Sequence, residues 1–164
     1  MKLISKVKKG ENVQTKLIAL DDVTTDFLRK LPSLRKRYGY TQEKVALLLR
    51  TNRRSIIAYE KGEATPTLSV LMKLAELLQT DISESVNYKF FHGKIKPGRI
   101  LKSIRFYGFS IAEIASLTGY NKNIVTDAVK VKPRASIQCL HAVLELLQKE
   151  KEAYAVRQQL IRKG

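Results

Sequence analysis

Along the first 20 residues, apolar positions alternate with polar ones: Leu3, Ile4 and Val7, then Val13, Leu17, Ile18 and Leu20. The turn-forming run Lys9-Gly10-Glu11-Asn12 separates the two groups, and the pattern predicts a β-hairpin over residues 1–25. From Asp26 the period changes. Phe27, Leu28, Leu31, Leu34 and Tyr38 recur at three- and four-residue spacing, predicting a helix whose start is blurred by Pro32 and whose end is set by Gly39. Thr41 then caps a helix with Val45, Ala46, Leu48 and Leu49 as its buried face. Asn52 caps another, which carries Ile56, Ile57 and Tyr59 up to Gly62. Thr65-Pro66 reads as a cap and first helical residue for a fourth helix with Leu68, Leu71, Leu74, Ala75 and Leu78. Beyond Asp81-Ile82-Ser83, the run Val86 to Ile95 reads as a strand, and Pro97-Gly98 breaks it before helical periodicity resumes.

The second helical run resembles the first. A shift of 69 residues lays Tyr38-Gly39-Tyr40-Thr41 on Tyr107-Gly108-Phe109-Ser110, Val45-Ala46 on Ile114-Ala115, and Asn52-Arg53 on Asn121-Lys122. The same shift aligns Glu76-Leu77-Leu78-Gln79 with Glu145-Leu146-Leu147-Gln148, and 11 of 46 positions are identical without a gap. Two unrelated amphipathic helices could share the last block, but not a turn glycine, two caps and a core alanine as well. The sequence therefore reads as an internal repeat.

Charge narrows the class of partner. Lys and Arg number 31 against 15 Asp and Glu, a net +16, and the excess is spread: +7 over residues 1–93 and +9 over 94–164. A field of this sign points to a polyanion, nucleic acid first and an anionic membrane second. No apolar run reaches the roughly 18–20 residues of a membrane span, and the start lacks the apolar core of a secretory signal. One cysteine, Cys139, and two distant histidines, His92 and His141, offer neither a disulfide nor metal-ligand spacing, so no cofactor or metal is expected. A reducing cytoplasm is the expected location. An enzyme such as a nuclease or relaxase, with Tyr107 as nucleophile, would need clustered carboxylates or histidines that the scattered acids do not supply.

Residues 34–78 carry a more specific signal: Arg35, Gly39, Thr41-Gln42, Ala46, Leu49, Ile56, Glu60, Gly62, Pro66, Leu71, Leu74, Ala75 and Leu78. This pattern resembles the helix-turn-helix domain of the Xre/Cro/repressor family. It departs once, at Arg50, where the family usually has a turn glycine. The resemblance implies that the helix after the turn enters the DNA major groove, with Asn52, Arg53, Arg54, Ser55 and Ala58 at the bases. It also implies that Thr41, Gln42 and Lys61 lie at the backbone, and that Arg35 and Glu60 form a structural salt bridge. The residue types suit that role. Arginine can bond bidentately to guanine, for about 1–3 kcal/mol of discrimination per good pair, and a helix N-terminus suits a phosphate.

At the 69-residue offset, Arg35 and Glu60 become Ile104 and Val129. Both partners turn apolar together, the tolerated way to lose a buried ion pair, which supports a second copy over residues 103–148. Ser110-Ile111-Ala112-Glu113 reads as a capping box there, and Gly119 restores the turn glycine. The second recognition helix would present Asn121, Lys122, Asn123, Thr126 and Lys130 beside the Ser110 cap, with Asp127 awkwardly placed near phosphate.

The expected fold is α+β, mostly α: two helix-turn-helix lobes joined by a small antiparallel sheet into an internal pseudo-dimer. Its parts are the hairpin 1–25, a first lobe 26–83, a strand and linker 84–98, and a second lobe 99–164 with a carboxy-terminal helix. That arrangement is similar to TraN-type DNA-binding proteins of Gram-positive conjugative plasmids, which implies control of a mobile-element or conjugative-transfer operon. The expected function is sequence-specific binding of double-stranded DNA by a monomer acting as an internal dimer, as a transcriptional regulator of its own operon. The rival is an adaptor or antitoxin that grips a protein. Ala153, Val156, Leu160 and Ile161 give the last helix a thin apolar stripe fit for a protein partner, but too small for a membrane.

Overall fold

The computed structural model describes residues 21–163, and these form ten helices without a strand. In chain order they are α1 (Asp22–Arg29), α2 (Leu31–Arg37), α3 (Gln42–Leu48), α4 (Arg53–Lys61) and α5 (Leu68–Leu77). Then come α6 (Val86–Phe91), α7 (Gly98–Tyr107), α8 (Ile111–Thr118), α9 (Lys122–Val129) and the long α10 (Ile137–Lys163). The antiparallel sheet expected between the lobes is thus absent among the described residues, and their fold is all-helical. Residues 1–20, which carry most of the expected hairpin, lie outside them. The last residues assigned to that hairpin instead open α1, capped by the Asp21 carboxylate, which accepts from the Thr24 amide at 2.8 Å.

The expected strand at Val86 to Ile95 is the helix α6 and a turn after it. Its alternating apolar residues face two different cores: Tyr88 packs on the first, while Phe90 is buried in the second with Val86 against it. A short apolar run buried on both sides has no periodicity that separates strand from helix. The deciding signal is Ser85, whose hydroxyl accepts from the Asn87 amide at 3.1 Å and so caps the helix.

Three smaller expectations also change. The helix foreseen from Asp26 is two helices broken at Lys30, because Pro32 is tolerated in the first turn of a new helix and not inside an old one. Leu48 is 45% exposed, so Val45, Ala46 and Leu49 alone form the buried face at the end of α3. The fourth helix of the repeat unit, α5, is preceded by Thr67, not by Thr65-Pro66, and has no side-chain cap. Its first two amides are satisfied from a distance: Leu68 N donates to Ala135 O at 3.0 Å and Ser69 N to Pro133 O at 2.8 Å.

Two hydrophobic cores result. The first gathers Phe27, Leu31, Val45, Ile56, Leu71 and Leu74 with their neighbours, and it also takes in Ile137 from α10. The second gathers Ile100, Ile104, Ile114, Val125, Leu140 and Val143. Val131 packs against both. Between them Thr67 and Ser136 form an isolated antiparallel bridge. A buried polar network adds a second tie: the Thr24 and Ser85 hydroxyls lie 2.9 Å apart and Asn87 Nδ2 donates to Thr24 Oγ1 at 3.0 Å. Asp21 Oδ2 stands 3.4 Å from His141 Nε2. Burial alone would push the Asp21 carboxyl up, but hydrogen bonds from His141 and the Thr24 amide outweigh it and hold the group below its usual range.

The turns confirm their local signals. Ser110 and Glu113 make a reciprocal capping box. Arg50 takes the left-handed conformation at φ +56°, in the turn where Gly119 of the second unit has φ +80°. A side chain there costs about 1–2 kcal/mol. No helix among the described residues is long and apolar enough to cross a membrane. Because Arg50 is exposed, Arg50→Gly is expected to raise unfolding stability by about 0.5–1 kcal/mol, after glycine's larger unfolded-state entropy has taken its share. Urea denaturation measures this directly, and a lowered midpoint would contradict the strain.

Candidate nucleic-acid interface

α3 and α4 meet through Leu49-Arg50-Thr51-Asn52, and the contact is one of the densest in the fold. Ile56 anchors α4 in the first core at 3% exposure, which turns the opposite side of its first turn outward. Arg53 and Arg54 are therefore both exposed at the amino end of α4, Lys61 is exposed at its other end, and Ser55 and Ala58 are half-buried between. Asn52 spends its side-chain oxygen on the cap, accepting from Ser55 N at 2.9 Å and Ser55 Oγ at 3.1 Å. Thr41 is exposed and accepts from Lys44 N at 3.0 Å, which leaves its hydroxyl proton for an outside acceptor.

The Arg35–Glu60 pair is present. Arg35 Nε donates to Glu60 Oε1, and Nη1 donates to the Tyr40 carbonyl at 2.9 Å. Both side chains are nearly buried, at 12% and 9% exposure. Gln42 joins them, its amide donating to Glu60 Oε2 at 2.7 Å. Its side chain is thus a strut between the start of α3 and the end of α4, a role the sequence did not reveal.

The second unit repeats the arrangement with other chemistry. Val125 is fully buried, and Asn121, Lys122 and Asn123 are exposed at the amino end of α9, Asn121 capping Ile124 N at 3.0 Å. Lys130 is exposed at the far end, and Ser110 is exposed at the start of α8. Thr126 is half-buried, and its hydroxyl donates back to the Lys122 carbonyl at 2.7 Å, so its proton is spent within the helix. Ile104 and Val129 pack in the second core at 5% and 1% exposure, apolar counterparts of the Arg35–Glu60 pair.

Asp127 is not a bare carboxylate. Arg134 holds it bidentately, Nε to Oδ2 at 3.0 Å and Nη2 to Oδ1 at 3.1 Å, and Asp127 raises the Arg134 pKa further. Arg134 is the residue that sequence reasoning missed; its only signal is a seven-residue spacing across a loop. In both units, then, the single carboxylate of the outward-facing helix is neutralised by an arginine from outside it: Glu60 by Arg35, Asp127 by Arg134. Both faces are left net basic.

Tyr107, considered above as a nucleophile, instead packs in an aromatic cluster, with Phe106 at 5.0 Å and Tyr154 at 6.2 Å between ring centroids. Among the described residues no three His, Cys, Asp or Glu side chains are grouped as a metal would need. Val156, Leu160 and Ile161 are exposed along the end of α10.

A helix-turn-helix family model matches residues 33–85. Among known proteins, one named as an HTH-type transcriptional regulatory protein in Pyrococcus abyssi is 32% identical over 59 residues, 36% of this chain and 19% of that protein. A similarly named protein of Thermococcus kodakarensis is 33% identical over 57 residues, 35% of this chain and 18% of its own length. The uncharacterized HTH-type transcriptional regulator YgzD of Bacillus subtilis is 36% identical over 47 residues, 29% of this chain and 71% of YgzD. The chain thus spans about a fifth of the archaeal proteins it matches. No solved structure matches it significantly.

The ion pair gives a test by exchange between the two units. Glu60→Val alone strands a nearly buried guanidinium and is expected to cost about 3 kcal/mol. The double change Arg35→Ile with Glu60→Val, which installs the second unit's own pair, is expected to stay within about 1 kcal/mol of the parent. Denaturant unfolding of the two variants decides it. A double variant no better than the single would mean that the pair is not a replaceable unit.

Proposed function

The chain belongs to the helix-turn-helix family, and on that premise we propose that it is a sequence-specific double-stranded DNA-binding protein that regulates transcription. The observation that carries this reading is the exposed Arg53-Arg54 pair at the start of a helix whose other face is locked in the core by Ile56. A helix entering the major groove needs long donors at its amino end and a rigid back. Arg53 and Arg54 serve as the base-reading residues, with Asn52, Ser55 and Ala58 beside them. Thr41 and Lys61 contact phosphates, and Gln42 positions the start of α3 through Glu60.

Residues 99–163 act as a second reading unit, so one chain covers two half-sites. Asn121, Lys122, Asn123 and Lys130 are its contacts, Ser110 meets the backbone, and Thr126 supports the helix from within. The two halves of the site differ because Arg53-Arg54 and Lys122-Asn123 differ. The printed names of the relatives support regulation of transcription and give no support to a conjugative or mobile-element setting. The exposed stripe of Val156, Leu160 and Ile161 favours a secondary role for α10 in holding a protein.

Two measurements test the reading. With a net +16 and roughly 6–10 phosphate contacts, affinity is expected to fall about 10³–10⁵-fold between 50 and 200 mM salt. A flat salt response would favour the protein-gripping alternative. Arg54→Ala is expected to cost about 1–3 kcal/mol on the selected site and to blur one or two base positions, while Lys61→Ala weakens all sequences alike. Unchanged base preference in the arginine variant would refute the assignment of α4.

A further inference from the structure

One contact between the two units joins like to like. Thr67 pairs with Ser136, and these positions are related by the same 69-residue shift that aligns the two halves of the sequence. Each is the last residue before the fourth helix of its unit, α5 starting at Leu68 and α10 at Ile137, and both first residues are fully buried. The pairing is antiparallel.

That combination restricts the symmetry. When a segment meets its own equivalent head to tail, with equivalent residues directly opposite, the operation that exchanges the two is a half-turn about an axis between them. Copies related by simple translation keep equivalent segments parallel, and they meet through two different surfaces. The other correspondences follow the same shift: α3 and α8 begin at 42 and 111, α4 and α9 at 53 and 122. The turn residues Arg50 and Gly119 are both left-handed.

Resting on the DNA reading above, we infer that the two units of one chain are related by a local twofold axis through the Thr67–Ser136 pair. The DNA recognised by a single chain therefore carries its two unlike half-sites in inverted orientation and not in tandem. A twofold axis turns α4 and α9 to face opposite ways along the duplex, so each half is read on the opposite strand. The asymmetry of the contacting residues hides this in the natural site, because unlike halves do not align with one another in either orientation.

Making the units read alike uncovers it. Lys122→Arg with Asn123→Arg places the first unit's arginine pair on α9, at two exposed positions. Selection from a random duplex pool with the full chain is expected to return an asymmetric site for the parent. For the variant it is expected to return an inverted repeat of the parent's arginine-read half, bound about tenfold or more tighter than the same halves in direct repeat. A direct repeat, or a lone half-site, would overturn the twofold inference while leaving DNA reading by α4 intact. Failure of the parent to select any sequence would remove the DNA reading itself, and the inference with it. Hydroxyl-radical footprinting of the unaltered chain gives an independent readout. Protections on the two strands related by rotation about one centre support the axis, and protections repeated by translation along one strand contradict it.

Discussion

The relative placement of the two cores depends on a few backbone hydrogen bonds between residues 67–69 and 133–136. α5 has no side-chain cap, so its first two amides rely on the carbonyls of Ala135 and Pro133. A buried helix start without those partners would leave orphan donors, each costing on the order of 1–3 kcal/mol. Ile137 then crosses into the first core directly beside the bridge. Docking of the second unit thus completes the first core, and the bridge together with the Thr24–Ser85–Asn87 network sets how the two units sit.

On that frame the electrostatics are simple. Each outward-facing helix has one carboxylate, and each carboxylate is occupied by an arginine that does not belong to the helix. In the first unit the pair is nearly buried and ties helices together through Gln42 and the Tyr40 carbonyl. In the second it is exposed on the arginine side, 77% against 25% for Asp127, and contributes orientation more than stability. The buried ionic role is replaced there by Ile104 and Val129. The two units therefore keep one architecture with different interiors and different faces.

How much of this was legible in the sequence follows from where the information resides. Thr41, Asn52, Ser110 and Asn121 cap their helices as their residue types require, because a cap is a local interaction between neighbours. The left-handed turn at Arg50 is marked by the family resemblance alone, since an arginine does not itself signal that conformation. The helix α6 reads as a strand in the sequence, since its apolar residues serve two cores and only the Ser85 cap marks it. The sequence marks the start of α5 two residues early, because its true partners lie more than sixty residues away. Gln42 and Arg134 carry no local signal as supports, because each acts through a carboxylate that a turn of the chain brings near.

On the proposed function, a single chain presents both α4 and α9 to one duplex. The number of chains on a selected duplex, determined by native mass spectrometry at saturation, tests it most directly. One chain per duplex, with both half-sites protected, is the result this account requires. Two chains per duplex, each protecting one half-site through its α4 while α9 stays off the DNA, would contradict it.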